Sequence, residues 1–238
     1  MTTRVKFPAQ PGPVKFPAQP GPVKFPAQPG LATLLALSDS RLPTGGHVHS
    51  GGIEEAIAQG LVRDLATLRA FLRRRIRTNG LVTASVAVAV CTGSLSVRQA
   101  DRETDARTPA PAARKASRAQ GRGLLRLARR VWPEAEWDTL GATPHLAVAA
   151  GTVGTASGLD PEHTALSVVY TTMTGSATAA QRLLALDPGD VAALTFELSA
   201  LCDRTAAEAG KELADLSDPL LDVLAQRHSQ RERPLFVS

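Results

Sequence analysis

The chain has 238 residues, enough for one sizeable core, and 43% of them are hydrophobic but only 4% aromatic, so its interior has to be built from Leu, Ala and Val, a composition that favours helix. Its net charge of +5 is uneven, with 21 Lys/Arg against 8 Asp/Glu over residues 1–135 and 6 against 14 over residues 136–238, which suits an acidic partner or self-association of opposite faces. Cys91 and Cys202 stand far apart without the spacing of a metal knuckle or redox motif and read as reduced core thiols, and with no signal-peptide core in the first thirty residues and no apolar run longer than Leu81 to Cys91, a soluble cytoplasmic protein without a membrane span is expected.

Residues 5–30 repeat one unit three times, Val5 to Pro13, Val14 to Pro22 and Val23 to Gly30. The density of proline breaks helix and central strand alike, so residues 1–30 are expected to be a disordered leader and residues 31–238 one all-α domain, a helical bundle. After the apolar run Leu31 to Leu37, the seventeen residues Ser38 to Glu54 hold four glycines, a proline, two histidines and three serines. That density marks an ordered loop between two helices, with Ser50 as a cap for the helix beginning near Ile53 and Glu54 and Glu55 complementing its positive end.

Asp64 is a candidate N-cap for a helix with Leu65, Leu68, Leu72 and Ile76 on one face, ending near Asn79-Gly80. Leu81 to Val97 reads as a central helix buried on every side. Residues 98–113 are polar and contain Thr108-Pro109-Ala110-Pro111, which predicts a break. From Arg114 to Trp132, Lys115, Arg118, Arg122, Arg126 and Arg129 form a basic stripe opposite Leu124, Leu125, Ala128, Val131 and Trp132, and Pro133 closes the helix. A small-residue helix follows from Pro144 to Ser157, where Gly151 and Gly154 leave room for a close neighbour. Asp160-Pro161, Asp187-Pro188 and Asp218-Pro219 each read as a cap followed by proline at the first helical position. The helices they open carry the apolar rows Leu166 to Leu184 and Val191 to Cys202, the first broad enough to suggest a homodimer contact. The segment after Gln230, ending Leu235-Phe236-Val237-Ser238, is apolar and too short to fold alone, the profile of a docking tail.

His47 and His49 flank Val48, so an extended loop would turn both rings to one side, and imidazole suits nickel or zinc. No further Cys, Asp or Glu completes a ligand set, so no metal or cofactor is assigned; His145, His163 and His228 are isolated and default to surface or cap positions. His49-Ser50-Gly51-Gly52 lacks the spacing of a hydrolase nucleophile, and Gly151 to Gly158 lacks the lysine of a phosphate loop. The basic stripe over residues 114–130 could follow a nucleic-acid backbone, but no recognised motif accompanies it and few aromatics remain to stack bases.

The stretch Leu37-Ser38-Asp39-Ser40 through Leu42-Pro43-Thr44-Gly45-Gly46 to His49-Ser50 and Gly52-Ile53-Glu54 resembles the amino-terminal signature of the urease accessory protein UreF family. Arg114 to Leu125 resembles that family's basic helix and Pro219 to His228 its last helix. The resemblance implies a non-enzymatic, dimeric adaptor that binds the accessory protein UreD (or UreH) and recruits the GTPase UreG for nickel insertion into apo-urease. The residues it would assign to partner contacts are Pro43, Gly45, Gly46, His49, Ser50, Gly52, Arg118, Arg122, Arg227 and His228, joined on physical grounds by Leu235 and Phe236. The other reading is a helical nucleic-acid-binding regulator using the basic helix, and a third, a helical metalloenzyme.

Overall fold

In the computed structural model, residues 30–215 and 218–238 are described. The leader expected over residues 1–30 lies outside them except for Gly30. Among the described residues the chain forms ten α-helices: α1 (Leu31–Leu37), α2 (Ile53–Ala58), α3 (Leu65–Arg75), α4 (Leu81–Cys91), α5 (Val97–Ala106), α6 (Pro111–Val131), α7 (Leu146–Ser157), α8 (Pro161–Leu184), α9 (Pro188–Ala209) and α10 (Pro219–His228). The fold is an all-α bundle.

Side-chain caps set half of the helix starts. The Asp64 carboxylate accepts the Thr67 N–H at 2.8 Å while the Thr67 hydroxyl oxygen accepts the Asp64 N–H at 3.1 Å, a reciprocal cap. Asp160, Asp187 and Asp218 accept N–H groups of the first turns of α8, α9 and α10, each with proline at the first helical position. Ser96 and Gln99 cap α5 in the same reciprocal way as Asp64 and Thr67.

Helix α8 lies at the centre and packs on α1, α2, α3, α4, α7 and α9. Its row Val169, Met173, Ala177 and Ala180 meets Ile53, Leu68, Leu72, Ile76, Leu198 and Leu224 in the main core, with Leu166 and Leu184 at its margin. That row is therefore covered within the chain, and only Tyr170 of it is exposed; the argument for a dimer contact from an uncovered α8 face loses its basis. On α9, Val191, Leu194, Leu198, Leu201 and Cys202 all point inward as the spacing predicts. Gly151 faces the Ala87 carbonyl and the Val90 side chain of α4, where a Cβ would collide, so α7 crosses α4 closely as its small residues predict.

Three boundaries differ from expectation. Asn79-Gly80 does not end a helix: Ile76–Gly80 form a π-helical turn that joins α3 to α4, with Gly80 at φ −60 and ψ −50 and buried. A glycine that reads as a stop is there because it packs beside Val169 and Thr172 of α8. Helix α4 stops at Cys91, not Val97, because Gly93 takes φ +73 and turns the chain. The polar segment expected to break holds α5 instead, and the break is confined to residues 107–110 ahead of Pro111. Of the apolar side expected on α6, Leu124, Leu125 and Ala128 are buried while Val131 is 51% exposed.

Candidate functional site

The loop between α1 and α2 is held from two sides. On one, Gly123 of α6 lies so close to the Thr44 carbonyl that any Cβ there would overlap it, which seats the loop on α6. On the other, the carboxy-terminal segment runs back across it: the Val237 N–H donates to the Val48 carbonyl at 2.7 Å, and the Ser50 N–H donates to the Ser238 carbonyl at 2.5 Å. His49 Nδ1 and the Ser238 hydroxyl are 2.6 Å apart. Loop and tail form one surface.

Glu54 organises it. Its side chain is 4% exposed, and its two oxygens accept from the Leu235 N–H at 2.8 Å, the Phe236 N–H at 3.0 Å and His228 Nε2 at 2.8 Å. Burial alone would raise this carboxyl, but the two tail N–H groups and His228 outweigh it and hold Glu54 below its ordinary value of 4.5. Glu55, also buried, takes Arg231 Nη1 at 3.0 Å and Gln59 at 2.7 Å. The two glutamates are thus not solvated partners of a helix dipole; they fasten α2 to α10 and the tail. Ser50 is fully buried and is not the α2 cap, a position taken by Gly52 at φ +89. Its carbonyl accepts the Ser176 hydroxyl at 3.1 Å and its own hydroxyl lies 3.5 Å from the Glu54 N–H.

The structure therefore brings together His49, Ser50, Gly52, His228, Leu235 and Phe236. His228 is buried, contrary to its expected surface position, because its ring is the partner of Glu54. Leu235 is 79% exposed, whereas Phe236 is half-buried against the core; the tail is anchored on its own chain and does not wait for a partner to order it. Pro43 is exposed at the loop surface, and Gly45, at φ +80, turns the chain before the short turn Gly46–Val48. That turn parts the two loop histidines, leaving His47 exposed and His49 buried. Burial, and then the neighbouring His47, push the His49 pKa down, so its ring is neutral near pH 7.

Arg118 and Arg122 sit apart on α6, and Arg227 is on the exposed side of α10. Arg122 is exposed, but Arg118 is engaged within the chain: it forks onto Asp101 at 2.9 and 3.1 Å and reaches Asp105 at 2.9 Å. Asp105 also faces His145 Nε2 at 3.0 Å, and His145 Nδ1 meets the Ser117 hydroxyl at 3.0 Å. His145, expected at a surface or cap, opens α7 with its side chain fully buried. Burial lowers its pKa despite Asp105, so a neutral ring donates Nε2–H to the carboxylate and accepts from Ser117. Asp101, Asp105 and His145 are the kind of set that could hold a metal ion, but the Arg118 guanidinium already lies between the two carboxylates and supplies the positive charge.

The sequence assigns Glu54 only to the helix dipole, and nothing in it points to the Asp105 network. Each joins residues far apart in the chain, and only the burial of Glu54 inside an apolar run, Ile53 and Ala56 to Ile57, hinted that it needed a partner.

A family model for UreF matches residues 62–199. The chain belongs to the UreF family. The urease accessory protein UreF of Mycolicibacterium vanbaalenii is 80% identical over 211 residues, covering 87% of this chain and 99% of that protein. The proteins of the same name from Mycobacterium sp. strain JLS and Mycobacterium tuberculosis H37Ra are 74% and 72% identical over 208 residues, with the same coverage. Membership makes this chain a non-catalytic urease maturation factor. Among the described residues no helix is long and apolar enough to cross a membrane.

Proposed function

We propose that the joined loop and tail form the docking face through which this UreF-family chain binds a UreD/UreH-type accessory protein. The resulting assembly recruits the GTPase UreG and couples GTP hydrolysis to nickel delivery into apo-urease in the cytoplasm, with the chain acting as a homodimer. The observation that supports the reading is the Glu54 clasp. It presents exposed Leu235 and Val237 on a preformed backbone joined to the loop at Val48 and Ser50, and preorganised apolar anchors lose little entropy on binding. Arg122 and Arg227 would lie at the margins of such contacts, where charge steers encounter.

Co-purification of the full chain with UreD/UreH and UreG homologues from the same source tests this directly. A stable ternary complex that is lost when Leu235 and Val237 are both changed to Ser is expected; a complex indifferent to those changes would place the contact elsewhere. Light scattering of the isolated chain at micromolar concentration reads the homodimer.

A further inference from the structure

Arg75 closes α3 just ahead of the π-helical turn, and its half-buried guanidinium lies between two cavities of about 210 and 150 Å3. Nη1 donates to the Gly51 carbonyl at 2.7 Å, and Nε reaches the Thr172 carbonyl at 3.5 Å. Among the described residues no carboxylate lies within 4 Å of it and Nη2 has no hydrogen-bond partner. The acids nearby are engaged elsewhere: Asp218 by Arg74 at 2.6 Å and by Thr78, and Asp222 by the Ala110 N–H. A half-buried guanidinium hydrogen-bonded only to carbonyl groups, with Asp218 acting on it through its charge but paired to Arg74, has no ion-pair partner of its own. Burial lowers its pKa to about 10, which still leaves it charged at neutral pH.

The larger cavity carries the rest of the argument. Its charged and titratable lining consists of Arg75, Arg182, His47, His49 and Asp39. Asp39 is taken by Arg41 at 2.6 Å, while Arg182 has no acidic partner among the described residues. The lining is therefore cationic. Exposed His47, Gly175 and Arg182 stand at the mouth, and the free Nη2 edge lies inside, against Gly51 and the Ser176 hydroxyl. Gly51 has φ +66, and a Cβ on it would sit 2.5 Å from Nη2, so the glycine keeps that edge clear. The Thr172 hydroxyl, on the same wall, makes no hydrogen bond within the described residues. The volume is several times the roughly 30 Å3 share of one water in the liquid. A guanidinium with a free Nη2 and no carboxylate partner among the described residues offers a charge-assisted donor to an oxyanion.

We propose that the cavity beside Arg75 is a binding site for a small oxyanion, seated on the free Nη2 edge of the guanidinium and drawn in past Arg182. The test is titration calorimetry on the full chain at constant ionic strength in chloride, with inorganic phosphate as the tetrahedral probe and bicarbonate as the planar one. Saturable binding of either probe at one per chain is expected, and whichever binds names the shape the site takes. Arg75→Gln should weaken it about tenfold or more, the scale for losing a charge-assisted hydrogen bond, while Arg130→Gln, on the exposed side of α6, should bind like the parent. If Arg75→Gln fails to fold, Arg182→Gln at the exposed mouth carries the comparison and should weaken binding several-fold. Absence of saturable heat with both probes overturns the proposal. So does parent-like affinity in a folded Arg75→Gln chain or, where that chain is unfolded, in Arg182→Gln.

Discussion

Two buried histidines in this molecule each face a carboxylate, and the two pairs are built differently. Asp105 is 43% exposed at its side chain and shares itself between His145 and Arg118, so α5, α6 and α7 are tied together where Leu124, Leu125, Val148 and Val153 already pack. Glu54 is 4% exposed and accepts main-chain N–H groups of the tail together with His228. The segments it holds have little apolar area of their own. Solvent can replace part of what Asp105 offers; nothing replaces Glu54. A hydrogen-bonded carboxylate thus matters most where hydrophobic burial is thinnest.

The strongest way to break that contrast is Glu54→Ala. It strands His228, the Leu235 N–H and the Phe236 N–H, and leaving three hydrogen-bonding groups without their shared buried acceptor costs about 3 kcal/mol or more. For a chain of this size that corresponds to a fall of roughly 10 °C in melting temperature. Hydrogen exchange should show the amides of Leu235 and Phe236 losing protection first. A parent-like melt with those amides still protected would mean that the clasp is incidental.

Acid separates the pairs by their titration. His145 and His49 are held neutral, with pKa values depressed below 6.5, so the unfolded chain binds more protons there and stability falls as pH drops below 6.5. Glu54 is depressed below 4.5: its contribution is fully present above 4.5 and is lost as pH falls through its folded value. Melts between pH 7 and 3 should therefore show two losses, and Glu54→Gln should shrink the lower one, to which Asp105 and Asp218 also contribute, and leave the upper one unchanged. A Glu54→Gln chain that keeps the whole acid profile would assign the low-pH loss to other carboxylates.

Asp105→Ala should cost only about 1 kcal/mol, because its exposed side chain is screened and Asp101 still holds Arg118. The melt reads it, and a loss equal to that of Glu54→Ala would erase the distinction drawn from exposure.

The helices that sequence reveals and the contacts it hides divide along the same line. Asp160-Pro161 or the row Val191 to Cys202 can be read because cap and helix face are set by neighbours within a few residues. The ordered loop between α1 and α2 is legible from its glycine density. What Glu54 holds could not be read, since its partners at 228, 235 and 236 lie at the far end of the chain and a Glu-Glu pair in a first turn already has a local explanation. Gly80 misled for the opposite reason: Asn-Gly carries a local stop signal, and packing against α8 overrode it. Arg118 looked like one of a free row because Asp101 and Asp105 precede the proline break that separates α5 from α6.

The smallest effect on stability, and the most telling about function, comes from splitting the tail's two apolar residues. Treated as a free docking segment, both Leu235 and Phe236 would leave the isolated chain unchanged when removed. The structure separates them. Phe236 packs half-buried on the core, so Phe236→Ala should cost about 1 kcal/mol in the melt, less than a fully buried aromatic. Leu235 is 79% exposed, and Leu235→Ala should leave stability within about 0.5 kcal/mol. Its Leu side chain could contribute roughly 1.5–3 kcal/mol if a UreD/UreH-type partner covers it, so affinity should fall about tenfold or more by titration calorimetry. The backbone N–H of residue 235 still reaches Glu54 in the Ala variant, which keeps the clasp intact and makes any lost affinity a property of the exposed side chain. Parent-like affinity in Leu235→Ala would remove the tail from the contact and leave the Pro43 side of the loop as the docking face.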